Sequence, residues 1–348
     1  MNHYKDRLEK IEDALYRTMP EKSSRNWIEK VAGDVSEGLD EPTADRFNAP
    51  GLELLGRGGK RWRPLVMVLM AEAAGGSEEV YRLTPLVELP HNGSLIVDDI
   101  EDKSEERRGG KSVHIIHGDD ISINAGNLMY FLPSYLIDES SLAPEGKFRL
   151  YSAYSRAMRR LHFGQGMDIQ WHNDHDYIPT EVEYLQMTRF KTGCLSSLAA
   201  NLAVIEAGGS KELEKKAGQI WEDIGVGFQI LDDVMNLKKG NPGKMRGDDI
   251  VEGKKSLPMI LHCEAVPESI EPMKVLFEKA AGDDESAAVE AVAEAISMIE
   301  GSGSLEKAGI MGLEVLNKAK AELKELFPGK EAVRLMIEVV DGFIEKML

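Results

Sequence analysis

In the run His91-Asn92-Gly93-Ser94-Leu95-Ile96-Val97-Asp98-Asp99-Ile100-Glu101-Asp102, three aspartates crowd the end of an apolar segment. On an α-helix, positions i, i+4, i+7 and i+11 share a face, so His91, Leu95, Asp98 and Asp102 project together. Two carboxylates one turn apart repel each other unless a cation lies between them. Hard oxygen ligands of this kind suit Mg²⁺, which shares its shell with water and substrate phosphates. The plain alternative is a solvated acidic helix end. Against it, apolar residues 95–97 lead straight into the carboxylates. Arg107-Arg108-Gly109-Gly110-Lys111 follows directly. Alone, a basic pair reads as surface; beside a metal-binding face, planar guanidinium donors suit phosphate.

A second acidic face lies farther on. Leu213, Ala217, Ile220, Ile224, Phe228 and Leu231 recur at spacings of 4, 3, 4, 4 and 3, which predicts one continuous amphipathic helix. Near its end Gln229, Asp232, Asp233 and Asn236 fall at i, i+3, i+4 and i+7, on one polar face adjoining the apolar seam. Carboxylates on a core-facing helix need a partner such as a metal or ligand; the alternative is a helix end leaving the core. Beyond it, the glycine-punctuated segment 240–254 carries Lys244 and Lys254, which suit a diphosphate.

The elements that must hold these groups are nearly all helical. Alternating strand patterns are scarce, Ala, Glu, Leu, Lys and Met dominate long segments, and Gly and Pro punctuate them. Thr180, with Glu183 three residues on, predicts a capping box that opens a helix after a polar loop at 172–179. The chain reads as one domain over 1–348: a peripheral N-terminal segment at 1–45, a motif-bearing core at 56–262, and packing helices at 263–348. A net charge of −18 disfavours nucleic acid as a partner. No apolar stretch reaches the ~20 residues of a membrane span, and the polar first residues show no signal-peptide pattern. Two scattered cysteines, Cys194 and Cys263, fit neither a disulfide framework nor a zinc site, so a cytoplasmic setting is expected.

The ordered set of motifs resembles the trans-isoprenyl diphosphate synthases, or polyprenyl synthetases. It comprises Gly58-Gly59-Lys60-Arg61-Trp62-Arg63-Pro64, Asp98-Asp99-x-x-Asp102 with Arg107-Arg108-Gly109, Gly164-Gln165-Gly166-Met167-Asp168, Lys191-Thr192-Gly193, Phe228-Gln229-x-x-Asp232-Asp233 and Glu252-Gly253-Lys254. One Asp-Asp-x-x-Asp arises readily by chance; the whole series does not. His91-Asn92-x-Ser94-Leu95 and Asp98-Asp99-Ile100-Glu101-Asp102 further resemble the eukaryotic-type geranylgeranyl diphosphate synthases. That subgroup also carries Asn at the place of Asn236, where most members have Asp.

The resemblance implies an all-α bundle around a deep central cavity, a homodimer or higher homo-oligomer, and three Mg²⁺ ions bound with the allylic diphosphate. Asp98 and Asp102, with Asp232 opposite, are implied as the metal ligands, and Asp98, Asp99, Asp102, Asp232 and Lys191 as catalytic. Arg107, Lys191, Thr192, Gln229, Lys244 and Lys254 are implied for the allylic diphosphate, and Lys60, Arg63, His91 and Arg108 for isopentenyl diphosphate. Four and five residues before Asp98 stand Ser94 and Gly93, where family members often set product length. Both are small, so a farnesyl product is not enforced there and geranylgeranyl diphosphate is expected; Met129, Tyr130 and Phe131 are candidates for the cavity floor. Asn236 keeps an acceptor oxygen without charge, so activity is expected to survive that departure.

Fixed cations and Mg²⁺ would neutralise the leaving diphosphate. An apolar, dry cavity would keep water from the allylic cation, and the final proton is expected to leave with the departing diphosphate. Second diphosphate-site residues argue against a terpene cyclase, and intact Asp98, Asp99 and Asp102 against a non-catalytic regulatory subunit. Other polar groups read as structural: His172, Asp174, His175 and Asp176 as a polar loop, His114 and His117 as unpartnered, Asp119-Asp120 as a helix-start pair, and Cys194 as core.

Overall fold

The computed structural model describes residues 2–174, 176–240 and 246–347. Among these the all-α expectation is met. In chain order the helices are α1 (Asn2–Thr18), α2 (Arg25–Ala32), α3 (Glu41–Gly56), α4 (Trp62–Ala74), α5 (Val80–Leu83), α6 (Pro85–Glu101), α7 (Val113–His117), α8 (Asp119–Phe131), α9 (Tyr135–Asp138) and α10 (Pro144–Asn173). They continue as α11 (Glu181–Thr188), α12 (Cys194–Glu206), α13 (Lys211–Lys239), α14 (Asp248–Val251), α15 (Leu257–Ala265), α16 (Ile270–Ala280), α17 (Glu285–Gly301), α18 (Ser304–Leu326) and α19 (Glu331–Met347). A π-helical turn, Arg189–Gly193, joins α11 to α12. No helix among the described residues is long and apolar enough to cross a membrane.

The chain forms two compact units. The first is Met1–Met158, Leu198–Gly218 and Lys330–Met336; the second is Arg159–Ser197, Gln219–Gly329 and Ile337–Leu348.

In the first unit, residues 66–70 of α4 are all fully buried, as expected of a helix that is apolar on every side. Helix α1, in the segment 1–45, packs one face inward. Ile11 and Leu15, with Met19 just beyond the helix, are fully buried, because a spacing of four puts them on one face against α4 and α5. Helices α6 and α8 cross closely. A Cβ on Gly93 would stand 2.6 Å from Gly126 O and 2.9 Å from Met129 Cβ. After α6, the strands β1 (Glu106–Arg107) and β2 (Gly110–Lys111) pair antiparallel, with Glu106 opposite Lys111. Their two-residue turn is Arg108-Gly109, with φ of 53° and 73°, the left-handed pair that a tight hairpin requires.

In the second unit the expected capping box is present. Glu183 N donates to Thr180 Oγ1 (3.3 Å) and Thr180 N to Glu183 Oε2 (2.8 Å). The predicted long helix is α13. Its Val226, Ile230, Val234 and Leu237, rather than the predicted seam, join Trp171, Tyr184, Ile260, Phe277 and Ile299 in one core, to which α15, α16 and α17 contribute. Cys194 and Cys263 are buried free thiols. Asp119 and Asp120 do open a helix, α8.

Candidate active site

The first acidic motif ends α6, in the first unit. Asp98 and Asp102 are partly exposed; Asp102 sits at the C-cap, its amide bonded to Asp98 O at 2.8 Å. Asp99 turns inward and is fully buried. Arg107 Nε donates to Asp99 Oδ1 at 2.8 Å, Arg107 Nη2 donates to the same oxygen, and Nη2 lies 3.7 Å from Asp98 Oδ2. Burial pushes the Asp99 carboxyl above its ordinary range, and Arg107 opposes that. Arg107, expected to contact a diphosphate, is thus engaged as the counter-ion of the buried aspartate, and Asp99 is locked away from the helix end.

Two further cations of this unit are also held. Arg63 Nη1 lies 3.3 Å from His91 Nε2, and the Arg63 guanidinium lies over the Trp62 ring at 4.5 Å. Burial, and then the charges of Arg63 and Arg108, push His91 well below its ordinary value. The ring is therefore neutral at pH 7, and its Nε2 accepts from Arg63. Arg108 donates to Asn92 Oδ1 at 2.9 Å. Lys60 is exposed.

In the second unit, Lys191 and Thr192 lie in the π-turn. Lys191 Nζ is 2.5 Å from Asp168 Oδ2, and His172 Nε2 is 3.1 Å from Asp168 Oδ1. Burial alone would raise the Asp168 carboxyl; Lys191 and His172 more than offset it and hold it well below the carboxylate range. Helix α10 approaches the π-turn so closely that a Cβ on Gly164 would collide with the Lys191 amide. From Thr192 a chain of hydrogen bonds runs inward. Thr192 Oγ1 donates to Gln229 Oε1 (2.9 Å) and Gln229 Nε2 to Asp233 Oδ1 (2.9 Å). Asp233 Oδ2 accepts from Tyr184 OH (2.7 Å) and the Leu257 amide (3.0 Å). Burial, with Asp249 adding, raises the Asp233 carboxyl to about 7 against these donors. Asp232 stays partly exposed, and Lys254 Nζ is 2.6 Å from Glu252 Oε2.

Some expectations need correction. On the shared face of Gln229, Asp232, Asp233 and Asn236, the plain alternative of a helix end leaving the core does not hold for Asp233 and Asn236, which are buried. Neither polar atom of the Asn236 side chain finds a partner among the described residues. His172 is not in a loop but in the last turn of α10, where it meets Asp168. Phe131 is 72% exposed and forms no floor. Gly93 faces the α8 backbone, so a bulky residue there must first displace α8. Ser94 is half-buried, its hydroxyl donating to His91 O at 2.8 Å. Lys244 and His175 lie outside the described residues. Tyr184, Glu88 and Arg61 carried no sequence signal strong enough to single them out, although Glu88 precedes His91 and Asn92 on the same helix by one turn.

Among the described residues no three His, Cys, Asp or Glu side chains close into a metal cage. Pairs of part-exposed carboxylates fit Mg²⁺ nonetheless, because that ion keeps several waters and binds through one or two carboxylates plus substrate phosphates.

Comparison with known proteins places this geometry. Residues 44–298 match the model of the polyprenyl synthetases. A geranylfarnesyl diphosphate synthase of Aeropyrum pernix is 32% identical over 311 residues, covering 86% of this chain and 94% of that protein. A geranylgeranyl pyrophosphate synthase of Penicillium paxilli is 34% identical over 249 residues, covering 71% of this chain and 62% of that protein. The crystal structure of geranylgeranyl pyrophosphate synthetase from Pyrococcus horikoshii Ot3 superposes with a TM-score of 0.84 at 27% identity, covering 99% of this chain and 97% of that one. With a family model matched over most of its length, the chain belongs to the polyprenyl synthetase family.

Proposed function

We propose that this chain, a prenyltransferase, condenses isopentenyl diphosphate head to tail with allylic diphosphates and makes geranylgeranyl diphosphate as its main product. The observation that carries the reading is the division within the first acidic motif. Asp99 is spent on Arg107 inside the protein, which leaves Asp98 and Asp102 as part-exposed carboxylates at the helix end. Asp98, Asp102 and Asp232 are the proposed ligands of three Mg²⁺ ions. When bound, Mg²⁺ neutralises charge on the leaving diphosphate.

The chain's own residues do the rest. Lys60, Arg63, His91 and Arg108 hold isopentenyl diphosphate; the neutral ring of His91 keeps the Arg63 guanidinium oriented. Arg107, Lys191, Thr192, Gln229, Lys244 and Lys254 receive the allylic diphosphate. Asp168 sets where Lys191 stands until the anion competes for it. The proton lost after the new carbon–carbon bond forms leaves with the departing diphosphate.

The same reading includes one functional domain over 1–348, a cytoplasmic setting and a homodimer or higher homo-oligomer. Ile116, Ile123 and Phe131, exposed along α7 and α8, support an interface there. A longer product is the second reading, favoured by the likeness to a geranylfarnesyl diphosphate synthase. Chromatography of products from purified protein, Mg²⁺, isopentenyl diphosphate and dimethylallyl diphosphate decides between them. Ser94→Phe is expected to shorten the product with little loss of fold. A wild type that stops at farnesyl diphosphate, or a Ser94→Phe product identical to the wild type's, would overturn the product assignment.

A further inference from the structure

Arg108 is held by neutral oxygens. Its Nη1 donates to Asn92 Oδ1 (2.9 Å), Gly58 O (2.5 Å) and Leu54 O (3.3 Å). Among the described residues it forms no ion pair with a carboxylate. Its neighbour Arg107 is the opposite case, paired to Asp99 and near Asp98. The difference matters for anion binding. A carboxylate on a guanidinium competes with an incoming diphosphate; a neutral acceptor fixes direction and leaves the charge available.

Behind Asn92 stands Glu88, one turn earlier on α6 and 2% exposed. Asn92 Nδ2 donates to Glu88 Oε1 (3.0 Å) and Glu88 O (2.8 Å). With its NH₂ group committed there, only the amide oxygen can face Arg108, so the orientation of this amide follows from its partners. Glu88 Oε1 also accepts from Arg61 Nη1 (3.0 Å), and Arg61 reaches Glu12 Oε1 of α1 (2.7 Å) and Leu55 O (2.7 Å). Arg61 and Arg108 both stand on left-handed backbone, with φ of 44° and 53°. Residues other than glycine keep that conformation only where the surroundings impose it. Burial lowers the Arg108 guanidinium from its ordinary value; Glu88 opposes the shift, and Arg61 and Arg107 add to it.

We propose that Asn92, oriented by Glu88, is a positioning residue for isopentenyl diphosphate, its amide oxygen aiming Arg108 without neutralising it. This rests on the reading that Arg108 contacts that diphosphate.

Steady-state kinetics in both substrates, with melting temperatures, test it on the full chain carrying Asn92→Ala, Asn92→Asp, Arg108→Ala and the Asn92→Ala/Arg108→Ala pair. Asn92→Ala is expected to raise KM for isopentenyl diphosphate about tenfold, as loss of one hydrogen bond to a charged group does. KM for the allylic substrate and kcat should stay within about twofold. In the Arg108→Ala background the same change should add nothing, since its target is gone. Asn92→Asp keeps the oxygen but supplies a charge, and should also raise KM for isopentenyl diphosphate. It carries the same test should Asn92→Ala fail to fold. A general packing role would instead lower melting temperature and shift both KM values together, which overturns the proposal, as does additivity in the double variant. If Arg108→Ala raises that KM and neither Asn92 variant does, the positioning role alone is overturned. If Arg108→Ala leaves it unchanged, the site reading falls, and the proposal with it.

Discussion

Each acidic helix carries an Asp-Asp pair whose second member turns inward, yet the two buried carboxylates are satisfied in opposite ways. Asp99 on α6 is met by a guanidinium; Asp233 on α13 is met by the neutral donors Tyr184, Gln229 and the Leu257 amide. Burial pushes both carboxyls up. At Asp99 the opposite charge of Arg107 opposes it, whereas at Asp233 a second carboxylate, Asp249, adds to it and the carboxyl is raised to about 7. One dipeptide therefore gives a charge-balanced anchor in one place and a protonation-sensitive one in the other. The surroundings, not the motif, decide which.

The largest expected effect lies with the outward aspartates. Asp98→Ala and Asp232→Ala should each lower kcat about a thousandfold, on the order of 4 kcal/mol of lost transition-state stabilisation. Removal of Mg²⁺ by a chelator should do at least as much. Near-full turnover in either variant removes that helix from the proposed metal site.

Next comes the anchor at α6. Arg107→Gln leaves the fully buried Asp99 without its counter-charge, which should cost about 3–5 kcal/mol of stability in urea unfolding. A loss below about 1 kcal/mol would mean that Asp99 finds other compensation, and the contrast with Asp233 would weaken.

Asn236→Asp should be smaller, about 2–3 kcal/mol, because a carboxylate there is buried where neither Asn236 polar atom finds a partner among the described residues. Unfolding curves that match wild type would show that the new charge reaches solvent or a cation.

A further effect is a pH dependence rather than a fixed loss. Asp233 has a folded value of about 7 against 3.8 unfolded, so the folded state binds the extra proton. Its contribution to stability is fully present below about pH 4 and is lost as pH rises through 7. With metal chelated, melting temperature should fall more steeply between pH 4 and 7 in wild type than in Asp233→Asn. Parallel curves would mean that Asp233 binds no extra proton in the folded state.

What the sequence disclosed depends on the range of the interactions. The Thr180–Glu183 box, the length of α13 and the shared face of Asp98 and Asp102 are local, set by helix periodicity, and could be read directly. Asp233 meets Tyr184 across 49 positions, and Lys191 meets Asp168 across 23; no spacing rule reaches that far. The spacing of Ile11 and Leu15 was legible, but the helices covering that face were not. Arg107 was correctly tied to the acidic motif by proximity, while its partner depended on a hairpin that no alternating pattern announced.

The π-turn at Arg189–Gly193 limits how the chain can change in length. Such a turn holds one residue more than the α ladder on either side requires, and Lys191 and Thr192 lie within it. Deleting one residue would let the ladder close. It would also swing α11 by about 100° relative to the first turn of α12, carrying Tyr184 away from Asp233. Surface loops absorb insertions and deletions readily; between Tyr184 and Gly193 the number of residues is as tightly set as their identities.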